Sequence, residues 1–193
     1  MNVDMRYRSL FEGYRSSHEP TNSFSPDALV TTRGEKPTDI LNAFTATRRG
    51  FGECFDNSTH AAVIKLMMMT FGQSPHGMFD EVKASGDGYD ITMKDEFKVH
   101  VSHEELKQVA KASRFSGNDS SVIMDANFVL AVFTKRKQIL GEQGSFEKVL
   151  LKTLEGETTQ NCLRGMGMMG LTQFVPATDM AAHGALGIVE THN

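Results

Sequence analysis

From Ala61 to Phe71 the chain carries one charge, Lys65. A helix this apolar on every side belongs inside a domain, so the pattern predicts a buried central helix. It is entered through the glycine-punctuated loop Gly50-Phe51-Gly52-Glu53-Cys54-Phe55-Asp56-Asn57-Ser58-Thr59-His60. The segment Val122 to Thr134, with Met124, Phe128, Val129, Ala131, Val132 and Phe133, is also apolar on most sides and predicts a second core helix.

Narrower stripes predict the elements around these two. Ile40, Leu41 and Phe44 share a face of a helix expected to start after Thr38 and run to Thr47. Gly72 to Gly77, containing Pro75, is a turn-rich break. From Gly88 to Val101, apolar residues alternate on both sides of Lys94-Asp95-Glu96, which predicts a two-stranded hairpin. Ser102-His103-Glu104-Glu105 has the spacing of a capping box and opens a helix through Leu106, Val109 and Ala110. After the break Gly141 to Gly144, Ser145 caps a helix with Phe146, Val149, Leu150 and Leu154 on its inner face. A short helix is expected over Thr159 to Met169, carrying Cys162, Leu163 and Met166. Pro176 starts another that runs to Leu186 and ends at Gly187, and Ile188 to Asn193 reads as the beginning of a strand.

Met1 to about Pro37 is rich in Ser, Thr, Asn, Arg and Pro and has no periodicity, so the expected organisation is an extended segment, 1–37, followed by one domain, 38–193. The chain has 193 residues and a net charge of −4, with basic residues scattered, which points away from a nucleic-acid footprint. Lys135-Arg136-Lys137 is the densest basic run, and cations in a last helical turn follow from the helix dipole. Two cysteines, Cys54 and Cys162, make no disulfide framework and suit a reducing compartment. Asp4, Arg6, Arg8 and Glu12 interrupt any apolar run behind Met1, so no cleavable secretory signal is expected, and no stretch is long enough for a membrane span.

Cys54 is the candidate for chemistry. A thiol at a helix N-terminus faces unpaired N–H groups and the positive end of the macrodipole, which favour the thiolate. Buried packing is the alternative role for a single cysteine beside a core helix. The cap position bears on the choice: if Asp56 or Asn57 is the N-cap, Cys54 lies ahead of the helix and loses most of that field. A cysteine nucleophile also needs a base from elsewhere in the fold. His60 lies nearly two turns along the same helix and reads as structural, which leaves His183 and His192. Metal and cofactor readings find no support. His103-Glu104-Glu105-Leu106-Lys107 has Lys107 where a zinc helix needs its second histidine. Gly165 to Gly170 lacks the strand and spacing of a dinucleotide loop, and Asp87, Asp90, Asp95 and Glu96 do not follow the calcium-loop pattern.

Gly52-Glu53-Cys54-Phe55, followed by Ser58 and an apolar helix, resembles the nucleophile helix of papain-like and calpain-like cysteine proteases. Ser145-Phe146-Glu147-Lys148-Val149-Leu150 with Leu154, Gly156 and Cys162-Leu163 is similar to a later calpain-family stretch. Ala112 to Gly117 and Asp125-Ala126-Asn127-Phe128 resemble bacterial calpain-like domains. The similarity spans about residues 45 to 192. It implies an α+β, papain-like fold: a helical half around the Cys-bearing helix and a small antiparallel sheet. It implies a cysteine-dependent hydrolase, a protease or glutamine deamidase of protein substrates, with Cys54 as nucleophile, His192 or His183 as base and no cofactor. Resemblance to small effector enzymes of this fold implies a bacterial protein delivered into another cell. The sequence departs from the family where a glutamine is expected about six residues before the cysteine. Thr47, Arg48 and Arg49 stand there; Phe55 replaces the usual tryptophan, and the chain ends at Asn193. A catalytically degenerate fold that binds a protein partner is the competing expectation.

Overall fold

The computed structural model describes residues 36–47, 52–141 and 143–189. Among them are eight α-helices and one three-stranded antiparallel sheet. The expected α+β class is therefore present. The N-terminal segment to residue 35 lies outside the described residues.

The helices are α1 (Ile40–Ala43), α2 (Ser58–Phe71), α3 (Pro75–Met78), α4 (His103–Ala112), α5 (Ser120–Ile139), α6 (Phe146–Thr153), α7 (Thr159–Gly165) and α8 (Ala177–His183). A 3₁₀ turn, Met169–Leu171, follows α7. The second core helix, α5, extends beyond the expected 122 to 134 because Asp119 caps it: its Oδ1 accepts from the N–H groups of Ser121 and Val122. From Val122 to Thr134 every residue except Met124 is buried, so α5 has no solvent face over three turns. α2, α4, α6, α7 and strand β3 pack against it.

The sheet holds one strand more than the alternation indicated. β2 (Gly88–Thr92) and β3 (Lys98–Ser102) are the expected hairpin, and β1 (Glu81–Ser85) pairs with β2 on the outside. β1 escapes a hydrophobic reading because Val82 is its only large apolar residue. Glu81 and Lys83, paired at 2.7 Å, suit a strand with one free edge. The register aligns Val82, Ile91 and Val99, and then Ala84, Tyr89 and Val101, while Lys83, Asp90 and His100 face outward.

Four boundaries differ from expectation. The first helix is one turn, because Phe44 leaves it to be buried against Phe115 and Thr45 bridges to Ser116; Leu41 is consequently 72% exposed and not on an inner face. α7 stops at Gly165, where the aromatic ring of Phe133 occupies the space of a side chain. α8 stops at His183 rather than Leu186, because Gly184 takes a left-handed conformation as its cap. Ile188 and Val189 are not in a strand, and the remainder of the expected strand lies outside the described residues. The capping box at Ser102 is present in both directions: Ser102 Oγ accepts from the Glu105 N–H at 3.2 Å, and Glu105 Oε2 from the Ser102 N–H at 2.9 Å.

Gly88 is required where β2 meets β3. A Cβ there would lie 2.0 Å from the Val101 carbonyl oxygen and 2.6 Å from Ser102 Cα, both backbone atoms that cannot yield without parting the strands. Gly88→Ala is expected to cost about 1–3 kcal/mol or more, as overpacking does, read as a lowered urea midpoint. Gly170→Ala, where nothing lies within 4 Å, is the comparison and is expected to change little.

Candidate functional site

The loop that carries Cys54 is held from two directions. On one side the Asp56 N–H donates to the Leu154 carbonyl at 2.7 Å, at the end of α6. On the other, Asn57 Nδ2 donates to the Ser113 carbonyl at 2.5 Å, and Arg114 reaches back to Glu53 at 3.1 Å. The Arg114 guanidinium also lies over the buried Phe55 ring, 4.4 Å from its centroid. Arg114 adopts φ +53°, a left-handed conformation uncommon for a non-glycine residue. Thr47 Oγ donates to its carbonyl. These contacts fix the residues flanking Cys54, and the thiol is exposed.

The N-cap of α2 is Asn57, so Cys54 lies three positions ahead of the cap and outside the first turn. Asp56 occupies the positive end of the helix instead: its Oδ1 accepts from the Ser58 N–H at 2.9 Å and from the Ser58 hydroxyl at 2.6 Å. Among the described residues no histidine hydrogen-bonds to Cys54. His183 is exposed on α8, where its Nδ1 donates to the Asp179 carbonyl at 2.8 Å in its own helix. His192 lies outside the described residues. Cys162, on α7, is fully buried, and burial pushes its thiol up to about 12, which makes it inert as a nucleophile at neutral pH.

Three other polar arrangements lie away from the Cys54 loop; the sequence marked His60 as structural and did not single out Asp125 or the pairing of His100. His60 is fully buried, and neither ring nitrogen has a hydrogen-bond partner. Burial, more than the opposing influence of Glu157, lowers its pKa to about 4. Asp125 is buried on α5, with Gln73 Nε2 donating to Oδ2 at 3.1 Å and Oδ1 unpartnered; burial raises its pKa to about 7. On the outer face of the sheet, His100 is bonded at Nδ1 to Asp90 (2.7 Å) and at Nε2 to Asp87 (3.1 Å). The bond to Asp90 foremost raises its pKa. With both nitrogens engaged by carboxylates, His100 is a clasp joining β3 to β2 and to the β1–β2 turn, not a free base. Cross-strand register was the signal for this pair, since Asp90 and His100 stand directly opposite each other. Among the described residues no three His, Cys, Asp or Glu side chains are grouped to hold a metal, and no helix is long and apolar enough to cross a membrane.

Neither a family model nor any curated protein or solved structure matches the chain.

The two buried titrating groups act in opposite directions. For His60, with 6.5 as its ordinary value and about 4 in the fold, the unfolded chain holds a proton that the folded chain lacks. Stability therefore falls as pH drops below 6.5, by on the order of 3 kcal/mol once past the lower value. Asp125 rises from 3.8 to about 7, so the folded chain holds the extra proton. Its contribution is lost as pH climbs between those values, by on the order of 4 kcal/mol. Urea unfolding from about pH 4.5 to 6 is expected to show these two slopes nearly cancelling in the unmodified chain. Asp125→Asn is expected to uncover the His60 slope, with stability rising with pH by up to about 1.4 kcal/mol per unit. His60→Met should give the reverse slope.

Proposed function

We propose that the chain acts by binding a protein partner through its C-terminal arm, residues 171–189. The observation that carries this reading is where exposed apolar side chains occur. Leu171, Phe174 (71% exposed), Val175, Leu186 and Val189 all lie on this arm, and α8 within it buries no residue. Asp179 is the one acidic or basic residue in the arm apart from His183. A surface of that kind suits an apolar, weakly charged face on another protein, with Phe174 as an aromatic anchor. Elsewhere among the described residues, large exposed apolar side chains are Leu41, Ile139 and Leu140.

A second reading keeps the cysteine. In the papain-like and calpain-like manner, Cys54 would be the nucleophile of a thiol hydrolase acting on proteins, with His192 or His183 as base. It is favoured by the exposure of Cys54, unlike Cys162, on a loop whose flanking residues are tied to distant parts of the chain. Against it stand the position of the thiol ahead of the helix cap and the lack of a bonded histidine among the described residues.

The two readings separate on two measurements. Iodoacetamide labelling of Cys54 at about pH 6, where an unperturbed thiol is almost wholly protonated, is expected to match the rate of glutathione; labelling tens of times faster would move the case to the hydrolase. A photoreactive side chain at Val175 is expected to give one discrete protein adduct that Phe174→Asp abolishes and Cys54→Ala leaves intact. Failure to form any adduct, or its loss in Cys54→Ala alone, would overturn the binding proposal.

A further inference from the structure

His60 sits where α2 meets α5 and α7. Its ring stands edge-on to Phe133 at 5.4 Å between centroids, with an interplanar angle of 70°. The Lys137 ammonium, one turn further along α5, is 5.6 Å from the centroid of the same Phe133 ring. Lys137 is in turn bonded to Glu157 Oε1, and both side chains are mostly withdrawn from solvent. The other carboxylate oxygen of Glu157 accepts from Asn161 Nδ2 at 3.1 Å. Gly165 lies so close to the Phe133 ring edge, with 2.2 Å for a would-be Cβ, that α7 cannot shift toward it. Phe133 thus has a neutral imidazole and an ion-paired ammonium as neighbours, with one carboxylate shared by the cluster.

The charged groups around His60 are Asp56 from the loop ahead of its own helix, Lys137 from α5 and Glu157 from the connection between α6 and α7. A proton on His60 would create a buried cation with N–H groups and no acceptor in place, a costly arrangement unless a carboxylate moves to it. Of the two carboxylates Glu157 acts on His60 the more strongly, and it would turn to the imidazolium by leaving Lys137, whose ammonium can turn to water more readily than the imidazolium can. The connection that carries Glu157, residues 154 to 158, is the same one whose Leu154 carbonyl holds the Asp56 N–H, two residues from Cys54.

We propose that His60, Lys137 and Glu157 form an acid-operated switch, in which a proton taken up by His60 draws Glu157 away from Lys137 and loosens the grip of the α6–α7 connection on the Cys54 loop. The switch is independent of whether Cys54 attacks a substrate or the C-terminal arm binds a partner. Amide hydrogen exchange at Asp56 in the full chain, corrected for the intrinsic pH dependence, reads the opening directly. Below about pH 6 the open fraction is expected to rise nearly tenfold for each unit of pH, while the Asp90 amide in the sheet stays unchanged. His60→Phe is expected to remove the rise. An Asp56 exchange rate that stays flat with pH, or one that rises equally in His60→Phe, overturns the proposal. Should His60→Phe fail to fold, two further variants decide: Glu157→Gln is expected to move the rise to lower pH and Lys137→Met to higher pH. Identical profiles in these two overturn it.

Discussion

Burial of α5 on every side is the condition from which the rest of the fold follows. A helix with Val122, Ala126, Phe128, Val129, Val132 and Phe133 spread around its circumference leaves no face that water can cover without loss of apolar burial. It must be enclosed by other protein. α2 answers on one side with Val63, Ile64, Met67 and Met68, the sheet with Tyr89 and Val101, and α4 and α6 with Leu106, Val109 and Leu150. Methionines from three separate segments fill the remaining irregular space, a use that suits an unbranched and adaptable side chain.

Enclosure of that kind also traps polar groups, and the chain deals with them unequally. Thr134 answers its own need by donating to the Leu130 carbonyl at 2.8 Å. Asp125 is half answered by Gln73, and His60 by nothing but the edge of an aromatic ring. Both therefore take the neutral form in the interior, one by keeping a proton and the other by losing it. The two are neutral together only between about pH 4 and 7, and the ion pairs Lys135 with Glu105, Arg136 with Asp95 and Lys137 with Glu157 lie at the last turns of α5, where the cations also suit the helix dipole.

Among the described residues, the Cys54 loop and the C-terminal arm contrast in what packing leaves exposed. The first is tightly tied yet presents its thiol to solvent; the second has apolar side chains and little to cover them. That contrast is why the binding reading leads. Chemistry at a cysteine requires a base as well as a position, and at the N-terminus of α2 it is Asp56, not Cys54, that accepts from the Ser58 N–H.

The amino-acid sequence alone determined the two core helices, the β2–β3 hairpin and the capping box at Ser102, because each rests on local periodicity or on a cap three residues away. It placed Cys54 at the entrance to α2, and it named Asp56 or Asn57 as the caps that would put the thiol outside the helix. Tertiary structure decided what depends on distant partners. β1 forms because β2 offers an edge, although its own residues scarcely alternate. The first helix yields to the bridge with Ser116, seventy-one positions away. Arg114 is brought to Glu53 and Phe55, and Glu157 is brought beside Lys137, by packing of helices remote in the chain. Burial, charge pairing and the loss of hydration that shifts a proton equilibrium are set by neighbours in space, and a linear pattern carries no record of which neighbours those are.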